Sequence, residues 1–437
     1  MIMKKKGILL AITWAYTFVL HAQDYTFGLQ PENTKPDRIE TVSNGATRFV
    51  FPAGTDLNQL GLEAVLPEGA TVFPDPATAR IRDNEPEIFT VTYADGTQKA
   101  FPYYFTAGRW FSVVLFGDPE INLTDRTGNN AKPENLSRWA DGIIHMAQSG
   151  RFAFRTRPDI RPAADLVICM GDMDQDSEKS GDAIKAVFDK FTSAGIPFIT
   201  MCGNHDLVPD YWTGNDPDKG LTWGVNDGGS HCNDVALGMV SDYLSAAQDL
   251  GIENVTRFTQ NEGKVQPSPF TFTFKGVRFY VGQTYWFQKP YDKPKTLFSS
   301  ATYYAPNGII SALEAFVSDP VVAATPSVWI QHYPISCEDR WWLDQNDTGM
   351  SIAPEDTPDY ATAEAKRNKY MQLIAKTKNP VHFSGHNHAE AANPHAAGGT
   401  AFKDHVAPYF ATKGEAFLIL CHEGEGVKEI QTVCFDY

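Results

Sequence analysis

Cysteine is sparse in this chain and never closely paired. There are six residues with no Cys-x-x-Cys spacing, which argues against a thiol-redox enzyme or a cysteine zinc site. Cys169 and Cys202 sit inside apolar runs and read as core thiols. Cys232, Cys337, Cys421 and Cys434 could pair in ways that spacing does not fix. Positive charge is also short: 37 Lys and Arg face 53 Asp and Glu, a formal net charge of -16. No broad basic face is therefore available to a nucleic-acid backbone, although metal ions could still supply local positive charge to a phosphorylated substrate. There is no Gly-x-Ser-x-Gly elbow and hence no sign of a serine esterase. Internal repeats and low-complexity tracts are missing. Beyond the N-terminus no apolar run is long enough to span a bilayer.

What is present suits ordinary globular domains. The chain has 437 residues, 42% hydrophobic and 21% charged, enough for a large core and for two or three domains. Lys4, Lys5 and Lys6 precede an uncharged apolar run from Gly7 to Leu20 and then His21-Ala22-Gln23, the pattern of an export signal over residues 1–23. Its lysine-rich start and Ala-Gln end look bacterial, so a periplasmic or extracellular place is expected. Residues 24–107 hold short β-branched or aromatic runs at 47–51 and 88–93, with an Asp95-Gly96 turn. A small all-β, Ig-like sandwich is predicted there, serving either as a docking module or as a structural cap. Over 108–437, strand-like runs alternate with helical periodicity at 135–148, 182–194 and 235–250. Hairpins are predicted within 270–286, turning at Lys275-Gly276, and within 416–437. This alternation predicts an α/β domain of two mixed sheets flanked by helices.

Five apolar runs in that region stop at Asp, Asn or His. Residues 113–116 lead to Gly117-Asp118-Pro119-Glu120, and 166–169 lead to Gly171-Asp172. Residues 197–201 lead to Gly203-Asn204-His205-Asp206, 327–330 to His332, and 381–383 to Gly385-His386-Asn387-His388. Sites in open α/β sheets form at the carboxyl ends of strands. Imidazole, carboxylate and amide oxygen suit ions such as Zn, Fe and Mn, and this many donors suits two ions rather than one tetrahedral ion.

In order and type, these blocks resemble the calcineurin-like metallophosphoesterases, a family that includes purple acid phosphatases and several phosphodiesterases. The resemblance covers residues from about 110 to 390. It implies a four-layer αββα sandwich of two mixed sheets and a pair of metal ions acting on phosphate esters. Asp118, Glu120 and His388 would then hold the first ion. Asp172 would bridge, and Asn204, His332 and His386 would hold the second. His205 would approach the substrate oxygens or protonate the leaving group, oriented by Asp206. Glu120 departs from the pattern, since the family usually has His there. An added negative charge favours Fe or Mn over Zn, or else that ion is weakly held or Glu120 does not coordinate. Gln175 stands where the purple subgroup has a ligand Tyr, so a tyrosinate-coloured centre is not expected.

His145, His231, His382, His395, His405 and His422 fit none of the blocks and read as hydrogen-bonded core or surface histidines. Two insertions, one after Asp206 with Tyr211, Trp212 and Trp223 and one after His332 with Arg340, Trp341 and Trp342, would form the mouth of the site. The expected substrate is a small phosphorylated molecule, with monoester against diester left open. Oligomeric state is not legible. A different class of function, a non-catalytic module binding a phosphorylated ligand or a glycan on the same fold, has only Glu120 in its favour.

Overall fold

A computed structural model describes residues 27–42, 45–52, 55–83, 85–120, 132–173, 177–203, 206, 228–258, 269–282, 307–336 and 360–436. The export signal, Asn204, His205 and both mouth insertions lie outside these residues, apart from the last part of the first insertion.

Among the described residues, the N-terminal part is built from strands apart from one short 3-10 turn. Strand β1 (Gly28–Pro31) pairs with β4 (Leu62–Val65). A five-stranded sheet runs β2 (Arg38–Thr41), β3 (Thr47–Phe51), β7 (Gln98–Ala107), β6 (Pro86–Thr92), β5 (Thr71–Phe73). Phe27, Leu29 and Leu62 pack with Phe49, Phe89 and Phe105 in one core between the two sheets. The turn joining β6 to β7 is the one the sequence marks: the Asp95 carboxylate accepts the Thr97 N–H at 2.8 Å, and Gly96 has φ +85°.

Two larger mixed sheets follow. The first runs β10 (Phe198–Thr200), β9 (Leu166–Cys169), β8 (Trp110–Phe116), β18 (Glu415–His422), β19 (Gly426–Cys434), with β10, β9 and β8 parallel. The second runs β11 (Glu253–Arg257), β12 (Phe270–Phe274), β13 (Val277–Val281), β14 (Pro326–Gln331), β15 (Lys378–Ser384), β17 (Thr400–Val406), β16 (Ala391–Ala397), with β13, β14, β15 and β17 parallel. Strands β8 and β9 are nearly continuous apolar runs because both of their faces are covered.

One core unites Val114, Ile168 and Phe198 of the first sheet with Phe272, Phe279 and Ile330 of the second. It also takes in Leu136 and Trp139 of α1 (Pro133–Ile144), Met146 of α2 (Met146–Ser149), Ile184 and Phe188 of α3 (Ser177–Ser193), and Leu244 of α4 (Gly228–Asp249). A second core packs Tyr280 and Trp329 against Leu313 and Val317 of α5 (Asn307–Val317) and against Leu373 and Ile374 of the long helix Tyr360–Ala375. That helix is α7, after the short α6 (Pro320–Ala323); the one-turn α8 (Phe410–Lys413) follows.

The helix predicted at 135–148 breaks at His145 into α1 and α2, and Gly150 caps α2 in the left-handed conformation at φ +64°. The two predicted hairpins are β12–β13 and β18–β19. Lys275 and Gly276 both have positive φ, 45° and 74°, as a two-residue primed turn requires. Cys169 and Cys421 are buried free thiols, Cys434 is an exposed one, and Cys202 is buried in the core. Among the described residues no helix is long and apolar enough to cross a membrane.

Candidate metal centre

The carboxyl ends of β8, β9, β14 and β15 meet at one edge shared by the two sheets. Backbone hydrogen bonds stitch the turns together. Asp118 N–H donates to the Gly171 carbonyl at 3.2 Å, Glu120 N–H to Asp172 at 2.9 Å, and Gly385 N–H to His332 at 2.9 Å. The turns are also strained. Among the described residues, eight non-glycine residues have positive φ. Five of them are Asp118 (55°), Glu120 (34°), Asp172 (51°), His386 (69°) and His388 (55°). Such a backbone costs on the order of 1 kcal/mol or more per residue, and it persists where the surroundings over-determine it.

Close approach explains two glycines of the blocks. A Cβ on Gly203 would lie 2.1 Å from Asp172 Oδ1, and one on Gly385 would lie 2.8 Å from Asp118 Oδ2. The sequence motif therefore records where one turn's backbone must touch another turn's carboxylate.

Asp118, Glu120, Asp172 and His332 are fully buried. The Asp172, His332 and His386 side chains each offer a ligand atom, all within 4.8 Å of one another. His332 Nε2 is 3.1 Å from Asp172 Oδ2, and its Nδ1 faces the Met170 carbonyl at 3.0 Å. That second contact fixes the ring and leaves Nε2 as the atom aimed at the cluster. A second set is looser: His388 Nε2 lies 3.5 Å from both Asp118 Oδ1 and Glu120 Oε1. The two sets are joined by the His386 N–H, which donates to both Asp118 oxygens at 3.0 Å. A carboxylate and two imidazoles converging in a buried pocket fit a transition-metal ion by donor chemistry.

The electrostatics agree. Burial alone would lower His332, but the Asp172 carboxylate beside it outweighs burial and holds it up at about 9. His388 is likewise opposed by burial, yet raised to about 10 by hydrogen bonds to Asp118 and Glu120. His386 is drawn down to about 4 by burial and by His332. These shifts favour protonated His332 and His388, with which a cation would compete, and a neutral His386. Protons and cations compete, so apparent metal affinity is expected to fall as pH falls through the neutral range, by about tenfold per pH unit for each proton displaced. Competition titrations of the metal-free protein at pH 6, 7 and 8 would read this; a flat profile would contradict it.

Of the residues the sequence picks out, Asp118, Glu120, Asp172, His332, His386 and His388 come together at this edge. Asn204 and His205 lie outside the described residues. The Asp206 carboxylate accepts the Met173 N–H at 2.8 Å and the Gly203 N–H at 2.7 Å. It thereby clasps the turn after β9 to the turn after β10, work the sequence reading does not assign to it. Two tyrosines escape the sequence reading altogether. Tyr333 is fully buried and meets His386 edge to face at 4.4 Å. Tyr409 donates to Glu120 Oε2 at 2.5 Å, and its ring lies flat on His388 with centroids 4.1 Å apart. Tyr333 follows His332 within its block but carries no assigned role there, and Tyr409 belongs to no block.

No protein-family profile matches the chain, and no curated protein sequence matches it. Solved structures similar to it include a Bacteroides thetaiotaomicron protein provisionally described as a glycoside hydrolase, at 25% identity, covering 20% of this chain and 27% of that one, TM-score 0.17. A purple acid phosphatase from yellow lupin (Lupinus luteus) seeds is 14% identical, covering 88% and 68%, TM-score 0.35. A 5'-nucleotidase precursor from Thermus thermophilus is 11% identical, covering 75% and 54%, TM-score 0.34. The chain thus spans less than two thirds of the first and third. At TM-scores this low the likenesses carry no argument, and the site is read from its own residues.

Proposed function

We propose that this chain is an exported, metal-dependent hydrolase of phosphate esters, a calcineurin-like metallophosphoesterase that works with two ions. The observation that carries the reading is the Asp172–His332–His386 cluster, its first two members fully buried and His386 partly so, with ligand atoms within 4.8 Å of one another at the strand ends of two sheets. In this reading the domain at 108–437 is a four-layer αββα sandwich, and residues 24–107 form an Ig-like domain before it. Asp118, Glu120 and His388 would hold one ion. Asn204, His332 and His386 would hold the other, and Asp172 would serve both. Bound there, the ions would supply Lewis acidity toward phosphoryl oxygens and lower the pKa of water.

The remaining work falls to the chain. His205 delivers a proton to the leaving oxygen of the ester. Asp206 ties Gly203 to Met173 by the two backbone hydrogen bonds it accepts, and in this reading it orients His205. Tyr333 and Tyr409 pack the ligand imidazoles and limit their rotation. The substrate is a small phosphorylated molecule, monoester or diester, and Glu120 favours Fe or Mn over Zn at the first position.

The test is turnover of p-nitrophenyl phosphate, bis-p-nitrophenyl phosphate and a nucleotide panel by protein stripped with chelator and then reloaded with Fe, Mn or Zn. Activity should vanish on stripping and return on loading, and the ratio of the two artificial esters assigns monoesterase or diesterase. Protein carrying both ions that turns over none of these would overturn the enzyme reading in favour of a binding module. Full activity with zinc alone would sink the preference for Fe or Mn.

A further inference from the structure

We infer that Tyr409 is a positioning residue that makes Glu120 usable as a single-oxygen metal ligand at a place where an imidazole would offer one nitrogen. The inference rests on the metal-centre reading above.

A glutamate in a ligand set has two problems that a histidine lacks. It has two equivalent oxygens and can turn to present either or both. It also adds a negative charge to a space already holding Asp118, and both carboxylates are fully buried. Tyr409 addresses each. Its hydroxyl donates to Glu120 Oε2 at 2.5 Å, which occupies that oxygen and spreads its charge. The other oxygen, Oε1, is the one that faces the set, 3.5 Å from His388 Nε2. The same Tyr409 ring stacks on His388 with centroids 4.1 Å apart and planes 1° from parallel. One side chain therefore fixes the orientation of two of the three members of the Asp118–Glu120–His388 set.

Tyr409 is itself anchored. Its backbone forms a parallel bridge with Gly117, next to Asp118. The following residue, Phe410, is buried and stacked on Phe116 at 4.3 Å, so the ring is carried on the same core that carries the end of β8. The parts of the device come from three distant stretches of chain, around 118–120, 388 and 409.

Tyr409→Phe keeps the stack and removes only the hydroxyl. In it, the affinity for the first ion should fall by about 10–100-fold, the usual effect of losing an outer hydrogen bond to a ligand, while the second ion binds as in the parent. Stepwise competition titration with elemental analysis reads both affinities. The visible spectrum of the cobalt-loaded protein should change for one ion of the two. In a Glu120→His background the added Tyr409→Phe should change neither affinity, because no carboxylate remains to be held; this second pair serves if the first variant folds poorly by circular dichroism.

Parent protein that binds two ions, beside a Tyr409→Phe variant that binds both equally well, would overturn the inference. So would a variant in which both ions weaken alike, or an equal loss in the Glu120→His background. Parent protein that binds no ions would instead overturn the metal-centre reading on which the inference stands.

Discussion

Asp172→Asn should lose at least about 10³-fold in kcat/KM while the protein still folds, the several kcal/mol that an ion site contributes to a developing phosphoryl charge. Asn has nearly the shape of Asp, so the turn after β9 is conserved. What disappears is the one full negative charge in the tight Asp172–His332–His386 cluster. The amide nitrogen cannot coordinate, and its remaining oxygen cannot serve two ions as a carboxylate can. The variant should also release His332 from the carboxylate that holds it up at about 9. With the Asp172 attraction gone and only Asp118 and the Met170 carbonyl left to oppose burial, that imidazole should titrate below the parent value, a shift that proton NMR of the metal-free protein would follow. Loss of activity together with loss of bound metal supports the assignment. Near-parental turnover with two ions bound would remove Asp172 from the site.

Gly203→Ala should be nearly as damaging, though it deletes no ligand. The new methyl carbon would sit 2.1 Å from Asp172 Oδ1 and 2.4 Å from the Asp172 backbone nitrogen. A flexible tip could swing aside, but a backbone nitrogen on a strained turn cannot. One of the two turns must give way, and the Asp206 clasp between Gly203 and Met173 gives way with it. Overpacking of this kind costs about 1–3 kcal/mol, which a thermal unfolding curve would register. Metal binding should fail more completely than stability, because a displacement of an ångström already spoils a ligand set. A variant with the parent's melting temperature and two bound ions would mean the turns do not touch as closely as they do here.

Both results depend on features that the sequence announces unevenly. The strands β8, β9, β14 and β15 are legible because a short apolar run halts at Gly-Asp, at Gly-His or, for β14, at His332. The β12–β13 turn is legible because Lys275-Gly276 supplies the two positive φ angles a tight hairpin needs. Helix α3 is legible only from its apolar stripe. Its first turns, beginning at Ser177, are polar and show no period, so the sequence reading starts the helix at 182. The break at His145 is a local event inside a continuous apolar pattern and leaves no compositional mark.

Tyr409 and the second role of Asp206 are illegible for a different reason: each acts through contacts between distant loops. The same holds for Asp404, whose carboxylate accepts the Ser384 hydroxyl at 2.8 Å and the Ile335 N–H at 2.8 Å and pairs with His382 at 2.7 Å. His382 is thus the hydrogen-bonded core histidine the sequence suggests. Its partner, and the tether that partner places three residues beyond His332, could be found only in the folded chain.

The left-handed backbone at Asp118, Glu120, Asp172, His386 and His388 bears on how such a protein can be made hardier. These are the positions where glycine would relax the chain most directly, since glycine alone tolerates that conformation without penalty. Each such relief would delete a side chain that the proposed centre uses. Local ease and chemical competence are thus mutually exclusive at the same five addresses, and a more heat-resistant version of this protein must draw its gains from elsewhere, from surface helices and loops far from the rim where the two sheets meet.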